Sequence, residues 1–169
     1  MTLQDNQTFR DALATFPSGV TIVSTTDAEG RHWGFTASSF SSVSMNPPLV
    51  LVCLANAAES HPAFLQASRF AINILSQDQK DVAMHFARKG VDKFGPHEFR
   101  YGTPDDPHPP MLAGSAASLL CSARDAHPAG DHTVLIGEVE AVELGNAPPL
   151  VYYNRGFREL VSDTEEALS

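Results

Sequence analysis

The sequence predicts a mainly β protein, a closed or nearly closed antiparallel barrel with short helices over its ends. Three observations predict it. Segments that are rich in β-branched residues or alternate in polarity recur along the chain, giving roughly six to eight strands beside three short helices. The strands come first as a hairpin and later as a meander. The regular strand–helix alternation of a doubly wound parallel sheet is missing. The 169 residues suit one domain with a sizeable core. That domain is taken as 1–169, with a core over about 9–160 and a short flexible C-terminal tail.

Phe9, Leu13 and Phe16 fall at i, i+4 and i+7, one face of a short helix, with Thr8 as its cap and Asp11 in its first turn. Pro17-Ser18-Gly19 ends it. Val20 to Thr26 is β-branched and reads as a strand. Asp27-Ala28-Glu29-Gly30 is a turn signal that returns Arg31 to Thr36 as the hairpin partner. A serine-rich stretch and Pro47-Pro48 lead to the apolar strand Leu49 to Leu54. Ser60 opens a one- or two-turn helix with Pro62 in its first turn. Arg69 to Leu75 alternates like a strand. Ser76 and Gln79 form a capping-box pattern opening a helix from Gln77 to Arg88, with Val82 and Phe86 on one face and Gly90 as the stop. Half of Thr103 to Pro110 is proline, so it reads as an exposed loop. Leu119 to Ala123 and Thr133 to Leu144 read as strands, and Gly137 in the second signals a bulge or a close backbone approach. Pro148-Pro149 precedes a last strand, Leu150 to Asn154. The chain holds no internal repeat.

Composition narrows the function. Twenty acidic residues against 11 basic ones give a net charge of −9, which argues against nucleic-acid or anionic-membrane partners but not against a small anion held by a few local donors. The two cysteines, Cys53 and Cys121, have apolar flanks and read as small core residues in a reducing compartment. No basic-then-apolar leader opens the chain and no apolar run approaches the ~20 residues of a membrane span, so a soluble cytoplasmic protein is expected. The sequence has no Walker A, GxGxxG or GxSxG motif. None of its seven histidines falls in HExxH or a Cys/His zinc spacing, so no metal site is expected.

Four constellations carry chemistry. Gly34 to Ser44 is crowded with hydroxyls, which reads either as a polar edge strand and turn or as a cradle for phosphate or a heterocycle's polar edge. Gly130-Asp131-His132-Thr133 puts a histidine beside an aspartate at a strand start, either a solvated turn or a ligand contact at the barrel mouth. Tyr152, Tyr153 and Arg155 close the last strand, as an aromatic cap with a surface arginine or as ring-stacking and phosphate-binding groups. Arg88, Lys89 and Lys93 are the densest positive charge in an acidic chain, either cations complementing a helix C-terminus or an anion site.

Taken in order, FPSGVTIVST, GFTASSFSSVSMNPPLVLVCL, the Phe86-Ala87…Lys93-Phe94 spacing, GDHTVLIGEVEAVE and PLVYYNRGFREL resemble the short-chain flavin reductase family. These are the reductase components of two-component flavin-dependent monooxygenases, such as those acting on 4-hydroxyphenylacetate, phenols or styrene. The likeness runs from about Phe9 to Leu160 and lapses between about Gly95 and Pro110. It implies a split β-barrel of the FMN-binding type, a homodimer, and hydride transfer from NADH or NADPH to FMN or FAD. The reduced flavin would then be released to a separate monooxygenase. By motif, Thr36, Ala37, Ser38 and Ser39 would line the flavin, with Cys53, Leu54, Ala55 and Ser60 along its ring and ribityl side. Ala87, Arg88, Lys93 and Phe94 would lie at its phosphate end. His132 would be the catalytic residue beside the nicotinamide, with Tyr153 and Arg155 near the nucleotide. Other readings stay open here: a flavin-binding storage or sensor protein on the same barrel, a structural dimer module without a ligand, and a pyridoxamine-phosphate-oxidase-like enzyme. The last would need a second phosphate site, for which no further basic cluster is present.

Overall fold

The structure is a computed structural model and describes residues 6–161. The C-terminal tail expected from the sequence lies outside the described residues. Helix α1 (Asn6–Ala14) is followed by β1 (Ser18–Gly19), β2 (Thr21–Thr26), β3 (His32–Ala37), β4 (Ser41–Met45) and β5 (Pro48–Ala55). Next come α2 (His61–Gln66), β6 (Arg69–Ile74), a 3-10 turn (Gln77–Gln79), α3 (Lys80–Phe86), β7 (Phe99–Arg100) and β8 (Met111–Leu112). The chain closes with β9 (Ala117–Ala129), β10 (His132–Leu144), β11 (Val151–Tyr153) and β12 (Gly156–Arg158).

Seven strands form one antiparallel sheet in the order β3-β2-β6-β9-β10-β5-β4. The sheet curls until its end strand β3 approaches β5, but no backbone ladder joins them. The barrel is therefore split at this seam, not closed. Ser39 spans the seam just past β3: its hydroxyl accepts the Cys53 N–H at 2.9 Å and lies 3.4 Å from the Cys53 carbonyl. Inside the curl sits an apolar core that includes Val23, Phe35, Val52, Leu54, Phe64, Phe70, Ile72 and Leu135. A second core lies on the outer face, where Ile22, Leu75, Ala83, Phe86, Phe94 and Phe99 pack under α3. β2 feeds both, which explains why its residues are buried on both faces while β5 alternates.

Several boundaries differ from the sequence reading for local reasons. Thr8 lies inside α1 instead of capping it. The serine stretch forms a strand, β4, paired to β5 with a register shift between Ser42 and Ser44. β9 runs on to Ala129 through polar, exposed residues, because β10 pairs with it along its whole length. Pro128 is tolerated there since β6 stops pairing at Ser122 and leaves that edge open. The capping box holds, with the Gln79 side chain accepting the Ser76 N–H at 3.0 Å, but the helix ends at Phe86 and Arg88 begins the following loop. Gly137 is both things expected of it: the β9–β10 register shifts between Ile136 and Gly137, and an added Cβ would lie 2.5 Å from the Phe70 ring. Asn73, fully buried in β6, ties the proline-rich loop to the sheet: it donates to the Ile22 carbonyl at 3.1 Å and accepts from Leu112 N–H at 2.9 Å and the Ser118 hydroxyl at 3.0 Å. No helix among the described residues is long and apolar enough to cross a membrane.

Candidate functional site

A cleft of about 260 Å3 opens at the seam. Its floor is Phe35 and Thr36 of β3 and Cys53, Leu54 and Ala55 of β5. Its walls are the turn leading to α2, with Ala58, Glu59 and Ser60, and the end of α3 with its loop, with Phe86, Ala87, Arg88, Lys89 and Lys93. His132, at the start of β10 and in register with Ala55, completes it. The lining thus combines small and apolar residues with three cations, which suits a flat ring carrying an anionic tail.

The cationic wall is built by close packing. Gly34 lets β3 lie against α3, since a Cβ there would meet Phe86 Cε1 at 2.8 Å. That approach brings the loop after α3 down onto β3, where Lys93 donates from Nζ to the Gly34 carbonyl at 3.2 Å. Burial pulls the Lys93 pKa below the usual lysine range, and the charge of Glu59 opposes that shift. Asp92 turns the loop by accepting the Phe94 and Gly95 N–H groups, each at 3.1 Å, and these bonds hold its carboxyl below the usual carboxylate range.

The histidine is fixed by a polar clamp. Asp131 Oδ1 lies 2.7 Å from His132 Nδ1, and that bond lowers the Asp131 pKa. An ionised carboxylate only accepts, so Nδ1 carries the proton and Nε2 is the ring nitrogen left for a ligand. Behind it, the Thr133 hydroxyl donates to Asn56 Oδ1 at 2.9 Å and so accepts from His61 Nε2, also at 2.9 Å. Asn56 in turn bonds the turn backbone, its N–H donating to the Asp131 carbonyl at 2.9 Å and its side-chain amide to that of Gly130 at 3.3 Å.

Of the residues singled out in the sequence, the fold brings Thr36, Cys53, Leu54, Ala55, Ser60, Ala87, Arg88, Lys93 and His132 to this one cleft. Cys53 is half-buried and lines it, so it is not the plain core residue its flanks suggested, whereas burial pushes the Cys121 thiol up to about 12. The Thr36 hydroxyl donates to the Ala83 carbonyl at 2.8 Å, and that of Ser39 is taken by Cys53. Ala37 is buried in the barrel core, and Phe94 packs edge-on against Phe86, facing a neighbouring hollow. Ser38 and Arg155 line a separate cavity of about 390 Å3 on the other side of Thr36 and Ala87. Arg155, held with Asn154 in a left-handed turn, is ion-paired with Asp11 of α1, and Tyr153 lines neither cavity. Glu59 and the two partners of Thr133, Asn56 and His61, are missing from the sequence reading. Their only signal was position beside named motifs, and the long-range pairing of β5 with β10 decides their role.

The family model described as flavin reductase like domain matches residues 13–161. The chain is 45% identical over 163 residues to the actinorhodin polyketide dimerase of Streptomyces coelicolor, covering 94% of this chain and 88% of that protein. It is 43% identical over 153 residues to a probable flavin reductase of Rhizobium meliloti, covering 90% of this chain but 48% of that protein, so it spans about half that relative's length. Two further relatives, each 37% identical, are the reductase components of a trigonelline monooxygenase in Acinetobacter baylyi and a 4-hydroxyphenylacetate 3-monooxygenase in Thermus thermophilus. Among solved structures, an NADH:FAD oxidoreductase of Streptomyces globisporus in complex with NAD and FAD fragments superposes with a TM-score of 0.88 at 31% identity, covering 98% of both chains.

Proposed function

Because the chain belongs to the flavin reductase-like family, we propose that its seam cleft binds a flavin and that the protein reduces it with NADH. The reaction is NADH + flavin + H+ → NAD+ + reduced flavin, with hydride passing from nicotinamide C4 to flavin N5. The observation that supports it is one cleft lined by apolar side chains, three cations and an oriented histidine. The flavin ring lies along Thr36 and Cys53 to Ala55, near Ser60, with its phosphate at Arg88, Lys89 and Lys93 beyond Ala87. His132 presents Nε2 to the nicotinamide carboxamide and orients it.

The organic chemistry belongs to flavin and nicotinamide, so no nucleophile is required of the protein. Its residues would hold the two rings in contact, the arrangement that hydride transfer needs. Phe35, Leu54 and Phe86, all buried, give the cleft an apolar lining. The cleft is small, about 260 Å3, which favours exchange of the flavin over permanent retention. The reduced flavin then passes to a separate monooxygenase, the arrangement named for several relatives.

The test is nucleotide oxidation by purified protein with and without added FMN or FAD. NADH loss that depends on added flavin is expected. Flavin binding with NADH left untouched would sink the reductase reading and leave a flavin-binding protein on the same barrel.

A further inference from the structure

The reductase reading brings two extended ligands to the seam, and the cleft alone does not hold them. At about 260 Å3 it lies below the roughly 300 Å3 of the smallest usual small-molecule sites. A second hollow of about 230 Å3 adjoins it, and Glu59, Ser60 and Lys93 belong to both. The two hollows form one trough. Its outer part runs between the start of β3, with His32 and Trp33, and the loop carrying Asp92 and Phe94.

The polar groups of this outer hollow are mostly committed to the fold. Asp92 turns its own loop. Trp33 Nε1 donates to Asp27 Oδ2 at 2.7 Å. Lys93 is held at the Gly34 carbonyl. Glu59 differs: it is exposed in the trough, and no described residue donates a hydrogen bond to its carboxylate. The charge balance is also distinctive. Lys93 is the one Lys or Arg lining the outer hollow, against the carboxylates of Glu59 and Asp92, whereas Arg88 and Lys89 line only the inner cleft.

Resting on the reductase reading, we infer that the outer hollow takes the adenosine ribose of the nicotinamide dinucleotide and that Glu59 selects NADH over NADPH there. A carboxylate accepts hydrogen bonds from both hydroxyls of a vicinal ribose diol, whereas a 2′-phosphate replaces one donor with nearly two negative charges. With a single, already engaged ammonium to offset two carboxylates, that phosphate meets like charge. The rings of His32, exposed, and Trp33, half-buried, stand beside the sugar for the adenine.

The test compares kcat/KM for NADH and NADPH, with FMN as the flavin so that no second nucleoside competes. The wild-type protein prefers NADH. E59Q cuts that preference about tenfold or more, through a higher KM for NADH and a lower one for NADPH, and E59K cuts it further. D92N, which lowers the charge of the hollow without removing the proposed ribose acceptor, cuts the ratio less than E59Q does, and an equal effect of the two overturns the assignment to Glu59. An E59Q ratio equal to wild type, or a wild-type preference for NADPH, overturns this inference while the reductase reading stands. Oxidation of neither nucleotide with any flavin overturns both.

Discussion

His132 and Lys93 divide the proposed chemistry between orientation and charge. His132 is oriented by Asp131 and presents one nitrogen to the trough. H132Q is expected to lower kcat/KM for NADH about tenfold, the worth of one hydrogen bond, with flavin affinity kept; stopped-flow reduction beside a flavin titration checks this. Equal loss of flavin affinity would make the residue structural. Lys93 acts through charge. K93M is expected to weaken FMN binding about tenfold or more and riboflavin binding little, read by fluorescence quenching. If riboflavin suffers equally, the contact with the Gly34 carbonyl, not a phosphate, is what Lys93 supplies.

At the scale of elements, the cleft depends on how closely strands and helices approach. In β10, Gly137 leaves room for Phe70 and Cys121, whose nearest atoms would lie 2.5 and 2.9 Å from an added Cβ. G137A should cost about 1–3 kcal/mol by overpacking. Combined with F70L it should cost less than the sum of the two single changes, measured by urea denaturation. The loop that carries Lys93 is pinned at both ends by histidines: His85 of α3 and His97 face each other at 2.8 Å, Nδ1 to Nε2. That bond needs one bare ring nitrogen, so protonating both rings removes it. Burial, then the charge of His85, holds His97 below the usual histidine range against the pull of Asp81. The folded state thus binds the proton less tightly than the unfolded one. The stability is fully present above about pH 6.5 and is lost as pH falls through the lowered value. Thermal melts between about pH 7.5 and 5 should show Tm falling on acidification. H97N should flatten that fall without abolishing it, since His32 is also depressed by burial.

On the whole molecule, apolar side chains stand out on α1 and on open sheet edges. Phe9, Leu13 and Phe16 are 49, 58 and 76% exposed. The hairpin of β9 and β10 continues past its neighbours at both ends, leaving open edges at 124–129 and 139–144, where Leu144 is 79% exposed. Such edges and patches invite a second chain, and we propose that it is a second copy. Light scattering behind size exclusion should give a dimer at micromolar concentration, and F9S/F16S should shift it toward monomer; a wild-type monomer would sink the proposal.

Local chemistry makes much of this protein legible in its amino-acid sequence alone. β-branched runs, the Asp27–Gly30 turn, the capping box of Ser76 and Gln79, and the bulge at Gly137 are set by neighbours a few residues away, so sequence periodicity reports them. The motif series likewise names Arg88, Lys93 and His132, which the fold brings to one cleft. The tertiary structure decided what depends on contacts between distant segments. Whether Thr36 and Ser39 offer hydroxyls to a ligand turned on Ala83 and Cys53, which take them. Whether Arg155 joins His132 turned on α1, whose Asp11 holds it at another cavity. Glu59 acquired a setting only when β3 and the loop after α3 closed around it. Side-chain type is fixed along the chain, but the partner that uses up a hydroxyl or a charge is chosen by packing across it.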